Sequence, residues 1–225
     1  MGCDIHLYVE KKTKDNWKQI KDFISSYYDP EHEYFSDKKY RNYYTPYSNR
    51  NYVLFSILAD VRNGYGFAGY DTGNRIEPID MPRGLPDDVS DSIQEESDNW
   101  GSDGHSHSYF TLQELLDFNW DIKITKRGIV SPSEYKIYKK EGHPDSWCSN
   151  IAGSNVLIVS EEVIDKYLNH ELEPPIDKDI YCRIEWADNL KDYCEDFLNK
   201  VISQLKERSA AKDFSDIRIV FWFDN

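Results

Sequence analysis

The opening of the chain alternates in character. Cys3, Ile5, Leu7 and Val9 are apolar, while Asp4, His6, Tyr8 and Glu10 between them are polar or amphipathic. Side chains of a strand leave opposite faces with a period of two, so this stretch reads as a strand with one buried face and one chemically rich face. A polar connector at 11–16 leads to a hairpin partner at 17–20. The alternation returns twice near the other end. Ile180, Cys182, Ile184 and Trp186 oppose Tyr181, Arg183 and Glu185, and Ile217, Ile219, Phe221 and Phe223 alternate with Arg218, Val220, Trp222 and Asp224. Between these two strands Leu190, Tyr193, Cys194, Phe197, Leu198, Val201, Ile202 and Leu205 keep helical spacing, which predicts one long helix.

The middle of the chain is less regular. Leu54, Phe55, Leu58 and Val61 predict a helix over 51–62, stopped by Asn63-Gly64-Tyr65-Gly66. A helix acidic on its exposed side is expected over 87–99, and Thr111 with Glu114 forms a capping box that opens a short helix. Strands are expected at 120–125, 134–139 and 156–159, with Ser160 capping a helix after the last. Residues 26–52 and 63–88 read as long loops, and the glycine-rich run at 101–108 as a polar loop. No internal repeat or low-complexity linker appears, so the pattern predicts a single α+β domain over 1–225, with a mixed or antiparallel sheet and helices mainly on one face. If the first strand, the strand in the 180s and the last strand share that sheet, the long helix covers their apolar face. The other face then gathers Asp4, His6, Arg183, Glu185, Arg218, Trp222 and Asp224.

Composition narrows the function classes. Hydrophobic residues make up 39% of the chain, enough to bury a core, and the formal net charge is -14. Such a surface repels phosphate backbones and anionic lipid, which argues against direct nucleic-acid or membrane partners. No apolar run approaches the ~18 residues a membrane helix needs, and no basic stretch followed by an apolar one marks a secretion signal. Cys3, Cys148, Cys182 and Cys194 form no CxxC pair and suit free thiols in a reducing cytoplasm.

Candidate chemistry concentrates in two short pairs. Asp4 and His6 leave one strand face together, and imidazole with carboxylate is an ordinary ligand pair for a water-activating divalent metal such as zinc, manganese or magnesium. His105 and His107 supply a second pair between glycine-rich flanks, so Asp4, His6, His105 and His107 would make a four-ligand catalytic set. Similar D-x-H and G-H-x-H elements occur in calcineurin-like phosphoesterases, but the middle motifs of that family are missing here, leaving a chemical likeness only. Arg62, Asn63 and Tyr65 open a run with Gly64, Gly66 and Gly69 whose backbone N–H groups can face an anion. Arg83 is a second cation for phosphate. Arg183 and Trp222 would contribute from the shared polar face, the indole suiting a base.

The opening Met-Gly-Cys-Asp-Ile-His, the block 54–69, Pro82-Arg83-Gly84-Leu85-Pro86, the block 103–108 and the closing Phe-Trp-Phe-Asp-Asn together resemble a family of small proteins encoded by bacteriophages and prophages. The likeness spans most of the chain apart from 26–50 and 130–175. It implies a phage protein in the cytoplasm of a bacterial host, where small accessory proteins act against host defences. The expectation is therefore a metal-dependent hydrolase of a small phosphate-containing molecule, such as a nucleotide immune signal. Alternatives are a non-catalytic protein that sequesters that nucleotide and an acidic decoy that binds a protein. Self-association is left open by the sequence.

Overall fold

The computed structural model describes residues 2–24, 31, 42–43, 45–65 and 75–224. The chain is α+β, and its contacts divide it into two compact units. The first comprises Met1–Asn63, Ile76–Ile122 and Leu190–Asn225, the second Gly64–Arg75 and Lys123–Asn189. No linker marks the division in the sequence. The chain leaves the first unit at Ile122 and returns at Leu190, where the Leu190 amide donates to the Ile122 carbonyl at 3.0 Å.

The sheet of the first unit is antiparallel throughout, in the order β2 (Trp17–Ile20), β1 (Asp4–Lys12), β9 (Ile217–Asp224), β5 (His105–Thr111). Ile5 pairs with Phe223, Leu7 with Phe221 and Val9 with Ile219, so the apolar residues of both strands share one face. All six are buried, and a buried side chain of this kind contributes about 1.5–3 kcal/mol. Helix α1 (Tyr52–Ala59) packs on that face through Phe55, whose ring meets Phe223 edge-on at 4.9 Å. The Asn51 side chain caps α1 by accepting from the Leu54 amide, and Asp60 ends it in the left-handed region at φ 57°. The predicted capping box of Thr111 and Glu114 opens α3 (Leu112–Asp117).

The second face pairs Asp4 with Asp224, His6 with Trp222, Tyr8 with Val220 and Glu10 with Arg218. It is covered by a strap carrying α2 (Asp91–Trp100). Ile93 buries itself against Val220 and Trp222, with Tyr8, Leu85, Val89, Trp100 and Tyr109 around them. A buried ion pair fastens the strap: Arg218 Nε donates to Glu10 Oε2 at 2.7 Å, and both side chains are almost wholly enclosed. The other Glu10 oxygen accepts from the Ser90 amide at 2.7 Å, while Asp88 accepts from Arg218 and from the Trp17 indole.

The second unit holds a three-stranded mixed sheet, in which β8 (Asp179–Asn189) lies antiparallel to β6 (Lys123–Val130) and parallel to β7 (Val156–Val159). Its core joins Val130, Tyr135, Ile164, Cys182, Ile184 and Trp186, with α4 (Pro132–Glu141) and α5 (Glu161–Leu168) contributing Tyr135 and Ile164.

Several expectations are corrected. The strand in the 180s is β8, so it shares no sheet with β1 and β9: alternation shows which face of a strand is buried, not which strand supplies its hydrogen bonds. Residues 134–139 belong to helix α4 because Ser131 caps it and Pro132 takes its first position, where the missing N–H is not needed. The long helix starts as α6 (Leu190–Tyr193), turns at Cys194 and continues through a π-helical stretch Phe197–Ile202 into α7 (Ser203–Arg208), with Asp196, Ile202 and Ser203 all keeping helical backbone. The expected loop at 101–108 becomes strand from His105 onward. Of the tyrosine-rich stretch 26–52, residues 26–30, 32–41 and 44 lie outside the described residues, and β3 (Phe23–Ile24) pairs there with β4 (Asn42–Tyr43).

Candidate functional site

At the open end of the first sheet, register brings Asp4, His6 and Asp224 together. The His6 Nε2 lies 3.3 Å from Asp224 Oδ2, and the other Asp224 oxygen accepts from the Asp4 amide at 3.1 Å. The Asp4 carboxylate is gripped on both oxygens by Arg50, Nε at 2.9 Å and Nη2 at 2.6 Å, a fork-to-fork match that favours the ionised acid. That hydrogen bonding holds the Asp4 carboxyl below its usual range, against the cost of desolvation. About half of each partner side chain is exposed, so the pair fixes geometry more than it adds stability. Beside them, Arg62 hydrogen-bonds the Cys3 thiol, whose pKa burial nevertheless pushes up.

The histidines of β5 behave differently from a simple alternating pair. His105 pairs with Phe223 and Ser108 with Phe221, so three steps along β5 oppose two along β9. The extra residue is a bulge, with Ser106 in the left-handed region at φ 53°. One inserted residue reverses the alternation. His107 therefore stacks on Trp222 at 5.4 Å on the strap-covered face, while His105 faces Phe223 at 6.1 Å. The Nε2 of His107 meets the Ser97 hydroxyl of α2 at 2.9 Å, and His105 Nδ1 meets its neighbour Ser106 at 3.0 Å. Burial lowers the pKa of both imidazoles, with Asp224 opposing the shift at His105 and Arg62 reinforcing it. Trp100 lies over His6 with ring centroids 4.0 Å apart, and a Cβ at Gly104 would come within 3.2 Å of the Trp100 Cβ.

Of the four expected ligands, Asp4 and His6 share a face as their spacing predicts, His107 joins it, and His105 turns away. Among the described residues no three His, Cys, Asp or Glu side chains gather as a metal-binding group. As placed, the donor set does not enclose an ion. Arg83 is engaged by Asp80 at 2.9 Å, Glu114 at 2.7 Å and the Tyr109 carbonyl, tying the strap to α3. Asn63 is buried and brackets the 64–75 excursion through the Ile76 amide and carbonyl. Tyr65 and Arg183 are exposed residues of the second unit. Gly66 and Gly69 lie outside the described residues. Trp222 shares the face of His6 but is fully buried, held between Tyr8 and His107.

Arg50, Ser97 and Trp100 were not anticipated. Arg50 sits in a stretch without periodicity, and Trp100 lies just past the end of the helix expected over 87–99. Arg50 also lines a cavity of about 500 Å³ with Tyr47, Tyr52, Tyr193, Asp192 and Glu195. A volume of this order suits a small organic ligand. Among the described residues, no helix is long and apolar enough to cross a membrane. No family model, curated protein or solved structure matches the chain.

Proposed function

We propose that this protein binds a small phosphate-containing molecule of nucleotide type and sequesters it, with the ligand seated in the cavity beside Arg50. The observation that carries this reading is the combination of that cavity's wall with the polar sheet end. Arg50, held by Asp4, lines one side of the cavity with its guanidinium, while Tyr52 is partly exposed for contact with a base. Asp192 and Glu195 across the cavity are acceptors for exocyclic amino groups. The resemblance to phage proteins suggests the purpose, removal of a nucleotide immune signal in the host cell.

A hydrolytic reading is favoured by one contact, His6 with Asp224. An imidazole oriented by a carboxylate is an ordinary acid–base unit, and here both side chains keep about a fifth of their surface exposed. Incubation with linear and cyclic nucleotides, followed by mass spectrometry of the denatured complex, separates the two. Intact ligand, lost in Arg50→Ala, is the expected result. Cleaved ligand that becomes intact in His6→Ala would establish hydrolysis instead, and no retained nucleotide would remove both readings.

A further inference from the structure

Lysine is unevenly spread along this chain. Five lysines and two aspartates fall within residues 11–22, in a sequence with 27 basic and 41 acidic side chains. That stretch forms the end of β1, the hairpin turn and β2, and β2 is an edge strand of the first sheet. Lys14 and Lys18 are exposed and form no ion pair among the described residues.

Hydrogen bonds alternate along an antiparallel pair, so one bond fixes the phase of the rest. The Thr13 amide donates to the Asn16 carbonyl at 2.7 Å. Along the register, Lys11 with Lys18 and Val9 with Ile20 are then the bonded pairs, while Lys12 with Trp17 and Glu10 with Gln19 are not. The β9 side agrees, for the Lys12 amide turns away from β2 and donates to the Asp216 carbonyl at 2.7 Å. Trp17 and Gln19 therefore direct their backbone N–H and C=O groups to the outer edge. Neither has a backbone partner there among the described residues.

There is room beside that edge. A cavity of about 650 Å³ runs between the hairpin and the strap, with Lys12, Lys18 and Lys21 from the hairpin and Asp88 and Asp91 from the strap. Asp88 is neutralised by Arg218 at 2.8 Å, and Asp91 stands in the first turn of α2, where the helix dipole offsets its charge. That leaves Asp15 against three lysines, so the potential along the edge is positive. Lysines also discourage a second copy from pairing here, because two β2 edges would bring like charges together.

We propose that the outer edge of β2, with the cleft beside it, is a docking site for an extended acidic segment of a partner protein, which adds to the first sheet as a further strand. Backbone bonds to Trp17 and Gln19 hold the segment, and the lysines select its charge. The cleft shares no residue with the tyrosine-walled cavity, so this inference and the nucleotide reading stand or fall separately.

The test is fluorescence anisotropy with a labelled peptide of alternating glutamate and threonine, beside its fully N-methylated form and oligothymidylate, together with amide hydrogen exchange of the peptide complex. The expected result is saturable binding that weakens as salt is raised, with slowed exchange at the Trp17 and Gln19 amides. The N-methylated peptide, which cannot donate, should bind roughly ten-fold more weakly or worse. A similar loss is expected in Lys18→Glu/Lys21→Glu, which alters exposed side chains alone, and in Gln19→Pro, whose missing N–H faces outward and leaves the β1 ladder intact. Peptide binding that leaves the Trp17 and Gln19 amides exchanging as in the free protein would overturn strand addition. Oligothymidylate bound as tightly as the peptide would overturn it too, by making the hairpin a general polyanion surface. If the peptide does not bind, the lysines only guard an open edge, and the inference falls.

Discussion

Glu10 and Arg218 carry the sharpest prediction. Replacing Glu10 by leucine removes the acceptor at 2.7 Å from Arg218 Nε and also the acceptor of the Ser90 amide. Arg218, with 5% of its side chain exposed, keeps Asp88, whose own side chain is 65% exposed, and the ring faces of Trp17 and Tyr109. Breaking a buried pair by removing one partner costs about 3–5 kcal/mol, because the survivor stays desolvated. For a chain of this size that corresponds to a fall in Tm of roughly 6–20 °C. Urea unfolding followed by tryptophan fluorescence measures it, with Asp88→Asn as the internal control at about 1 kcal/mol or less. The double variant Glu10→Leu/Arg218→Met should recover most of the loss, since well-packed apolar groups replace such pairs at little cost. A Glu10→Leu variant within about 1 kcal/mol of the parent would refute the reasoning, for it would mean that the pair behaves as a surface contact.

Three further outcomes are expected. Gly104→Ala should cost about 1–3 kcal/mol by overpacking and lift Trp100 off His6, visible as a change in tryptophan fluorescence; unchanged stability and spectrum would contradict the contact distances. Thr111→Ala removes the side-chain half of the α3 capping box and should cost about 1 kcal/mol in the same unfolding assay, whereas a neutral result would make the box decorative. Stability should decline with acid in two stages. His105 and His107 sit below the ordinary 6.5, so their contribution is complete above that value and is lost as pH falls through their folded values. The depressed carboxyls of Asp4 and Asp88 act in the same direction at lower pH, being fully stabilising above their unfolded value of 3.8. A urea midpoint that stays level or rises on acidification through both ranges would refute the assignment.

Local pattern made a good part of this molecule legible. The two-faced spelling of β1 and β9 gave their shared apolar face and placed Asp4, His6, Trp222 and Asp224 on the other. The starts of α3 and α5 followed from Thr111 and Ser160, whose side chains accept a first-turn amide, whereas α1 ends at Ala59 with Asp60 in the left-handed region, short of the expected stop at Asn63-Gly64. What failed was pairing at a distance. The β8 spelling is as regular as that of β9, yet its neighbours are β6 and β7, a choice that no single strand encodes. In α4 the sequence Glu134-Tyr135-Lys136-Ile137-Tyr138-Lys139 alternates like a strand, and the decisive signal was the Ser131-Pro132 start just before it. The polar face was expected to lie open. Its strap could be foreseen only by knowing that Ser90 and Asp88 would meet Glu10 and Arg218 across the fold.

The bulge at Ser106 shows how little separates one chemistry from another on a strand. Flattening the bulge without changing the chain's length would pair Ser106 with Phe223, and every residue before it would exchange sides: His105 would move to the Trp222 side and Gly104 to the Phe223 side. Both imidazoles would then share a face with Asp4 and His6, a plausible first step toward a metal-binding lineage, reached without substituting any of the four. The present chain, with its bulge, instead divides its histidines between a stacked, hydrogen-bonded role for His107 and a place for His105 on the far side of the sheet. The pairing register of β5 against β9 thus decides which side chains meet on this face, without any change in the histidines themselves.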